Sequence, residues 1–191
     1  MLLSIVLDNV WIAIGIWVAL FCLDYIFTMK AARMYQKGAN KHFIFSGGYE
    51  LNPYFKDDVA KLKVFSFRFW LVLIMVVGTL LIIHQLPEAF ALVWGMLIGT
   101  QIAVQFRHIS NLMRFYYAQD STGTRGRIET DHWLSLRLSA VGFLSFGALF
   151  LFLFLLMGSL VLLGATVGCL SLSLRHFIDS VKQNKQSESP Q

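Results

Sequence analysis

The chain has 191 residues, 57% of them apolar and 14% charged, with a formal net charge of +5 and a mean hydropathy of +0.62. Soluble domains run nearer about 45–50% apolar and about 25% charged, so this composition excludes an ordinary soluble domain. The apolar residues fall in continuous runs with no alternation of period two, which selects helices over a membrane barrel. The expected fold class is all-α: a polytopic helical membrane bundle forming one domain over residues 1–175.

The first run, Val10 to Met29, carries one charge, Asp24. About 20 apolar residues cross about 30 Å of hydrocarbon, which places a span at 10–29. No basic leader or small-residue cleavage site precedes it, so it reads as an uncleaved first helix with the N-terminus outside. "KAARMYQKG" prolongs that helix past the membrane surface to a stop at Gly38. "ANKHFIFSGGY" reads as an irregular crossing with a Ser-Gly-Gly turn. A helix then resumes at Asn52, with Asn as cap, Pro53 at the first position and Asp57 and Asp58 in the early turns. Asp57 is spaced to pair with Lys61, and this helix is expected to run directly into a second span, 67–84.

A third span covers 88–106 and continues as helix through Tyr117. After a turn at "STGTRGR", "DHWLSLRL" leads back into a fourth span, 138–156. The last apolar run, Leu138 to Leu174, would measure ~55 Å as one helix, too long for a bilayer even when tilted. Met157-Gly158-Ser159 offers a place to fold it into a hairpin, giving a fifth span at 160–174. The alternative is four spans with one long last helix. Residues 176–191 are polar and expected to be a disordered cytoplasmic tail.

Charge placement favours five spans. No Lys or Arg precedes the first run, eight lie between Lys30 and Arg68, five between Arg107 and Arg137, and three in the tail. The short turns at 85–88 and 157–159 have none. Under the positive-inside rule the order is N-out and C-in. The basic face suits anionic lipid, and the net charge needs no nucleic acid to explain it.

Several residues are costly where they sit. A carboxylate at mid-span costs about 2.5–3.5 kcal/mol on insertion scales; Asp24 lies just inside the first span, with Thr28 on the same face one turn on. It either snorkels to a loop cation or faces the bundle as a site residue. On the third span Gln101, Gln105 and His108 fall within a ~60° arc, with Arg107 beside them and Asn111 a turn beyond. Such a stripe serves either interhelical hydrogen bonding or a site. Glu129, Asp131 and His132 read as a solvated loop and Arg137 as a snorkelling cation. His84 and His176 lie at depths that do not pair with His108 across a haem. Cys22 and Cys169 read as free apolar thiols. Gly95-x-x-x-Gly99 and Gly164-x-x-x-Gly168 permit close helix approach, within the chain in preference to a homo-oligomer.

Asp24, Thr28, a glycine-bearing link and Glu50-Leu51-Asn52-Pro53 resemble the Asp-x-x-x-Thr, Gly-x-x-Glu-x-Asn-Pro pattern of a family of small prokaryotic multi-span membrane proteins. The resemblance covers Asp24 to Pro53, with a longer link through "ANKHFIFS". It implies that Asp24, Glu50 and Asn52 act together, in the cell (inner) membrane of a bacterium or archaeon, and it implies no activity.

The topology gathers Asp24, Glu50, Asn52, His108 and Asn111 at the cytoplasmic membrane edge. Asp24, Glu50 and His108 are candidate acid/base residues or ligands of a divalent metal. Asn52, Asn111, Gln105 and Arg107 are candidate substrate-binding residues. The leading expectation is a membrane-embedded hydrolase or transferase, metal-assisted or not, acting on a lipid-linked substrate. The alternatives are a structural or oligomer-forming membrane protein, and a transporter of a small solute or ion.

Overall fold

A computed structural model describes residues 2–46, 54–119 and 126–188, with side chains over 5–46, 54–119 and 126–186. The described residues are almost wholly helical: α1 Leu2–Asp8, α2 Val10–Lys37, α3 Lys56–Ala60, α4 Phe67–Ile83, α5 Pro87–Gln119, α6 His132–Met157 and α7 Leu160–Glu188. Four of them, α2, α5, α6 and α7, are long and apolar enough to cross a membrane, while the apolar α4 has 17 residues.

Local chemistry sets the helix ends. The Asn9 side chain accepts from the Trp11 and Ile12 amides, which starts α2 as a side-chain cap does. Pro87 begins α5, where its fixed φ and missing N–H cost nothing. Gly158 adopts the left-handed conformation, φ 64°, and its N–H bonds to the Phe154 carbonyl at 2.7 Å. That conformation favours glycine, so the last apolar run folds into a helical hairpin at the expected position.

The core is built mainly between α2, α5, α6 and α7, with Leu80 and Phe69 of α4 buried against it. The Trp94 indole donates to the Ala13 carbonyl at 3.0 Å and the Gln105 amide to the Leu20 carbonyl at 2.8 Å, joining α5 to α2 at two levels. On its other side α5 meets α7 through glycine. A Cβ at Gly95 would overlap the Val161 backbone and one at Gly164 the Leu92 carbonyl; Gly99 faces Ala165, and Gly168 faces Met96 and Thr100. The two glycine rows therefore face each other inside one chain. Cys22 and Cys169 are free.

Four expectations change. The helix from Asn52 does not run into the second span: Asn52 and Pro53 lie outside the described residues, and α3 ends at Ala60. Leu62 then takes φ 50°, a conformation that ends a helix in a non-glycine residue, and Ser66 caps α4 anew by accepting from the Phe69 amide at 3.3 Å. The acid that matters in this turn is Asp58, not Asp57. Asp58 is buried, accepts from Ser66 Oγ at 2.6 Å and pairs with Lys63 at 2.9 Å. Segment 176–188, expected to be disordered, continues α7, because no Gly or Pro interrupts it and Ser180 is fully buried. Finally, "HFIF" is not irregular. Phe43–Phe45 (β1) pairs in parallel with Ile128–Thr130 (β2), Ile44 opposite Glu129, so Glu129 belongs to a strand rather than a loop. Phe43, Phe45 and Tyr35 pack around the buried Phe115, closing the basic end of the bundle.

The Asp58 turn gives a pH prediction. The Ser66 hydroxyl, then the Lys63 ammonium, hold its carboxyl below the usual 3.8. A depressed carboxyl stabilises the fold above its unfolded value, and this is lost as pH falls through the folded one. Thermal unfolding in detergent should therefore show a melting temperature that drops below about pH 4 in the native chain. Asp58→Asn should start lower at neutral pH and lose this part of the acid slope.

Candidate functional site at the basic end of the bundle

Asp24 and His108, 84 positions apart, meet with His108 Nε2 2.7 Å from Asp24 Oδ1. One sits on α2, the other on α5, and the Trp94 and Gln105 bonds to α2 set the register that brings them level. Thr28 completes the group: its Oγ1 lies 3.5 Å from Asp24 Oδ1 and 3.3 Å from His108 Nε2. The His108 side chain is 5% exposed and that of Asp24 25%. The carboxylate thus reaches open space while the imidazole is held inside.

The partners fix the imidazole chemistry. An ionised carboxylate only accepts, so Nε2 carries the proton toward Asp24. Nδ1 is then a bare acceptor, and among the described residues it has no hydrogen-bond partner. Gln101 Oε1 is likewise buried without a partner. Buried polar atoms without partners are few in folded proteins and call for an explanation. Here both belong to residues lining one cavity.

That cavity, about 790 Å³, opens between α2, α3, α4, α5, α6 and α7. Asp24, Thr28, Gln101, Arg107, His108 and His176 supply polar wall, and Phe21, Phe69, Val72, Phe143 and Leu172 the apolar wall. Tyr54, Phe55 and Val59, on and before α3, close one side. This segment is fastened by Arg68 donating to the Tyr54 carbonyl, Gln36 to the Ala60 carbonyl at 3.1 Å, and the Tyr25 hydroxyl to the Lys63 carbonyl at 2.6 Å. The sequence signal for α3 as a wall was weak, since its register depends on the turn at Leu62.

Of the expected site residues, Asp24 and His108 are brought together and Arg107 lines the same cavity. Gln105 does not: its amide is turned to the Leu20 carbonyl and serves helix packing. Asn111 is half-buried and is not part of the cavity wall. Glu50 and Asn52 lie outside the described residues. Among the described residues no three His, Cys, Asp or Glu side chains are grouped to hold a metal ion; Asp24 and His108 offer two ligands, and the third expected one, Glu50, is not described.

Two contributors were not anticipated. His176, read as part of the tail, lines the cavity because α7 continues as helix, and its Nδ1 lies 2.9 Å from Ser139 Oγ. Ser139, buried on α6, accepts from Arg107 at 2.7 Å. Only the i, i+3 spacing of Ser139 in an apolar run could have marked its face, and serine is common in membrane helix contacts. Arg137, expected to snorkel, stacks over Trp133 and Phe177, 5.2 and 5.8 Å from the ring centres. Compared with known protein families, with characterised proteins and with solved structures, the chain matches none.

Proposed function

We propose that the protein is a membrane-embedded hydrolase or transferase acting on a lipid-linked substrate, with His108 as its general base and acid and Asp24 as the residue that orients and charges it. The observation that carries this reading is the 2.7 Å contact of Asp24 with His108 Nε2, which leaves Nδ1 without a partner in a residue lining an amphipathic cavity. A carboxylate behind one imidazole nitrogen and an acceptor at the other is the arrangement that general base catalysis requires.

His108 Nδ1 takes the proton of a water or substrate hydroxyl as its oxygen attacks a phosphorus or carbonyl carbon. The new bond to oxygen forms, and the imidazolium is stabilised by the Asp24 carboxylate. The bond to the leaving oxygen then breaks, and the proton on Nδ1 passes to that oxygen. Thr28, beside the same carboxylate oxygen at 3.5 Å, restrains Asp24. The apolar wall from Phe21, Phe69 and Val72 suits acyl or isoprenoid chain and limits competing water.

The five-span, N-out arrangement belongs to this reading, with α4 as the second, short span. It sets the cavity at the cytoplasmic edge, where the Lys and Arg of both long loops face anionic lipid. Asp24 and Thr28, the first half of the prokaryotic pattern, line the cavity; Glu50, from its second half, is placed by this reading at the same edge, as a further acid or metal ligand.

The test is conversion of lipid in vesicles made from bacterial polar lipid extract and containing the purified protein, followed by mass spectrometry. The native chain should convert one lipid class with time. His108→Gln should lower the rate by about 10²–10⁴-fold, the usual contribution of a positioned acid/base, with an unchanged melting temperature. No conversion by the native chain, or equal rates in the variant, would leave Asp24 and His108 as interhelical packing residues only. Elemental analysis of both proteins separates the metal-assisted form, in which bound divalent ion falls with His108→Gln, from the unassisted one.

A further inference from the structure

The cavity has a second polar corner, made by Arg107, Ser139 and His176 from three different helices. Arg107 donates to Ser139 Oγ at 2.7 Å, and His176 Nδ1 is hydrogen-bonded to the same oxygen at 2.9 Å. The guanidinium also lies over the Phe143 ring, 5.7 Å from its centre, and His176 meets the edge of that ring. The arginine is therefore oriented by a relay of side chains, not free to follow solvent.

It has no ion-pair partner. Of the other charged groups lining the cavity, Asp24 is hydrogen-bonded to the His108 imidazole, and Arg175 and Asp179 lie 4.0 Å apart on α7. Among the described residues no carboxylate lies within ion-pair distance of Arg107. An arginine held in a half-buried position without a counter-ion is a preformed anion site, and its planar fork matches a phosphate oxygen pair. The unpartnered acceptors on His108 and Gln101 ask for a donor, such as a hydroxyl, from the same ligand.

Resting on the acid/base reading above, we infer that Arg107, positioned by Ser139 and His176, is the phosphate subsite of this cavity, and that the substrate is a lipid carrying a phosphate ester beside a hydroxyl-bearing group. The apolar wall takes the chain, Arg107 the phosphate, and His108 and Gln101 the hydroxyls. Ser139 and His176 are positioning residues that act through Arg107.

Binding without turnover tests this separately from catalysis. The full chain in neutral detergent is titrated by calorimetry with dihexanoyl phosphatidylglycerol, dihexanoylglycerol and inorganic phosphate. The phosphatidylglycerol should bind at least about tenfold more tightly than either of the others, because chain and phosphate are each needed. Arg107→Gln should weaken it about tenfold or more, Arg107→Lys should restore part of the loss, and Ser139→Ala should lie between, all with melting temperatures checked. His108→Gln, which alters only a hydroxyl contact, should weaken binding less than Arg107→Gln does. Equal binding of inorganic phosphate overturns the lipid assignment, and affinity indifferent to Arg107→Gln and Arg107→Lys overturns the subsite. Turnover that needs His108 while binding ignores Arg107 removes only the subsite. Arg107-dependent binding without turnover removes only the chemistry.

Discussion

Gly164→Val is expected to be among the most destabilising single substitutions in this chain, because it drives a side chain into backbone. A Cβ at Gly164 overlaps the Leu92 carbonyl and lies 3.0 Å from the Met96 amide nitrogen. Neither can swing aside as a side-chain tip would, so α7 must move off α5. Overpacking of this kind costs about 1–3 kcal/mol or more, and a chain of this size loses roughly 2–4 °C of melting temperature per kcal/mol. Gly95→Val meets the Val161 backbone on the other face of the same contact and should behave alike. At Gly78 and Gly142 a Cβ would stand in open space, so Gly78→Ala and Gly142→Ala should stay within about 0.5 kcal/mol of the native chain. Thermal unfolding of the four variants in one detergent decides the matter. Equal melting for Gly164→Val and Gly142→Ala would mean that α5 and α7 do not cross through glycine.

Loss of the Asp24 carboxylate should separate structure from chemistry. Asp24→Ala leaves the Nε2 proton of a 5% exposed imidazole and the Thr28 hydroxyl without their acceptor. A buried donor left unsatisfied costs about 1–3 kcal/mol. Asp24→Asn keeps an oxygen in place and should melt close to the native chain, yet it removes the charge that stabilises an imidazolium. Any His108-dependent turnover should therefore fall strongly in both variants, while stability falls only in the alanine. The ring itself provides a direct readout. Nitrogen-15 spectra of His108 should show a protonated Nε2 and a bare Nδ1 in the native chain and in Asp24→Asn. A native spectrum with the proton on Nδ1 would contradict the assigned base.

Much of this architecture was legible because apolar run length and helix-breaking residues are local signals. The starts of α2 at Val10, α4 at Phe67 and α7 at Leu160 all follow from where polar or flexible residues interrupt the oil. The glycine spacing in α5 and α7 correctly pointed to contact within one chain, since each row needs a partner able to come equally close. The polar stripe was read less well. Gln101, Gln105 and His108 share a face by angle, yet Gln105 binds the Leu20 carbonyl while the other two line the cavity. Spacing gives direction about a helix axis but not which neighbour stands at each level. The pairing of β1 with β2 joins residues more than 80 positions apart across two loops, and three-residue strands have too little periodicity to announce themselves.

By itself, then, the sequence determined that the chain is a helical membrane-type bundle and where its long helices begin, and it marked Asp24 and His108 as costly residues that serve either helix contact or a site. Those conclusions depend on hydrophobicity, length and local capping, which each segment carries within itself. Only the tertiary structure decided that Asp24 and His108 touch at 2.7 Å, that Asp58 rather than Asp57 secures the turn into α4, and that Arg107, Ser139 and His176 form one corner. Of these facts, the Asp58 contact depends on the fold of the turn between α3 and α4, and the first and last depend on the relative rotation and height of α2, α5, α6 and α7. That geometry is set by side-chain-to-carbonyl bonds between helices and by glycine contacts, and no single segment contains it.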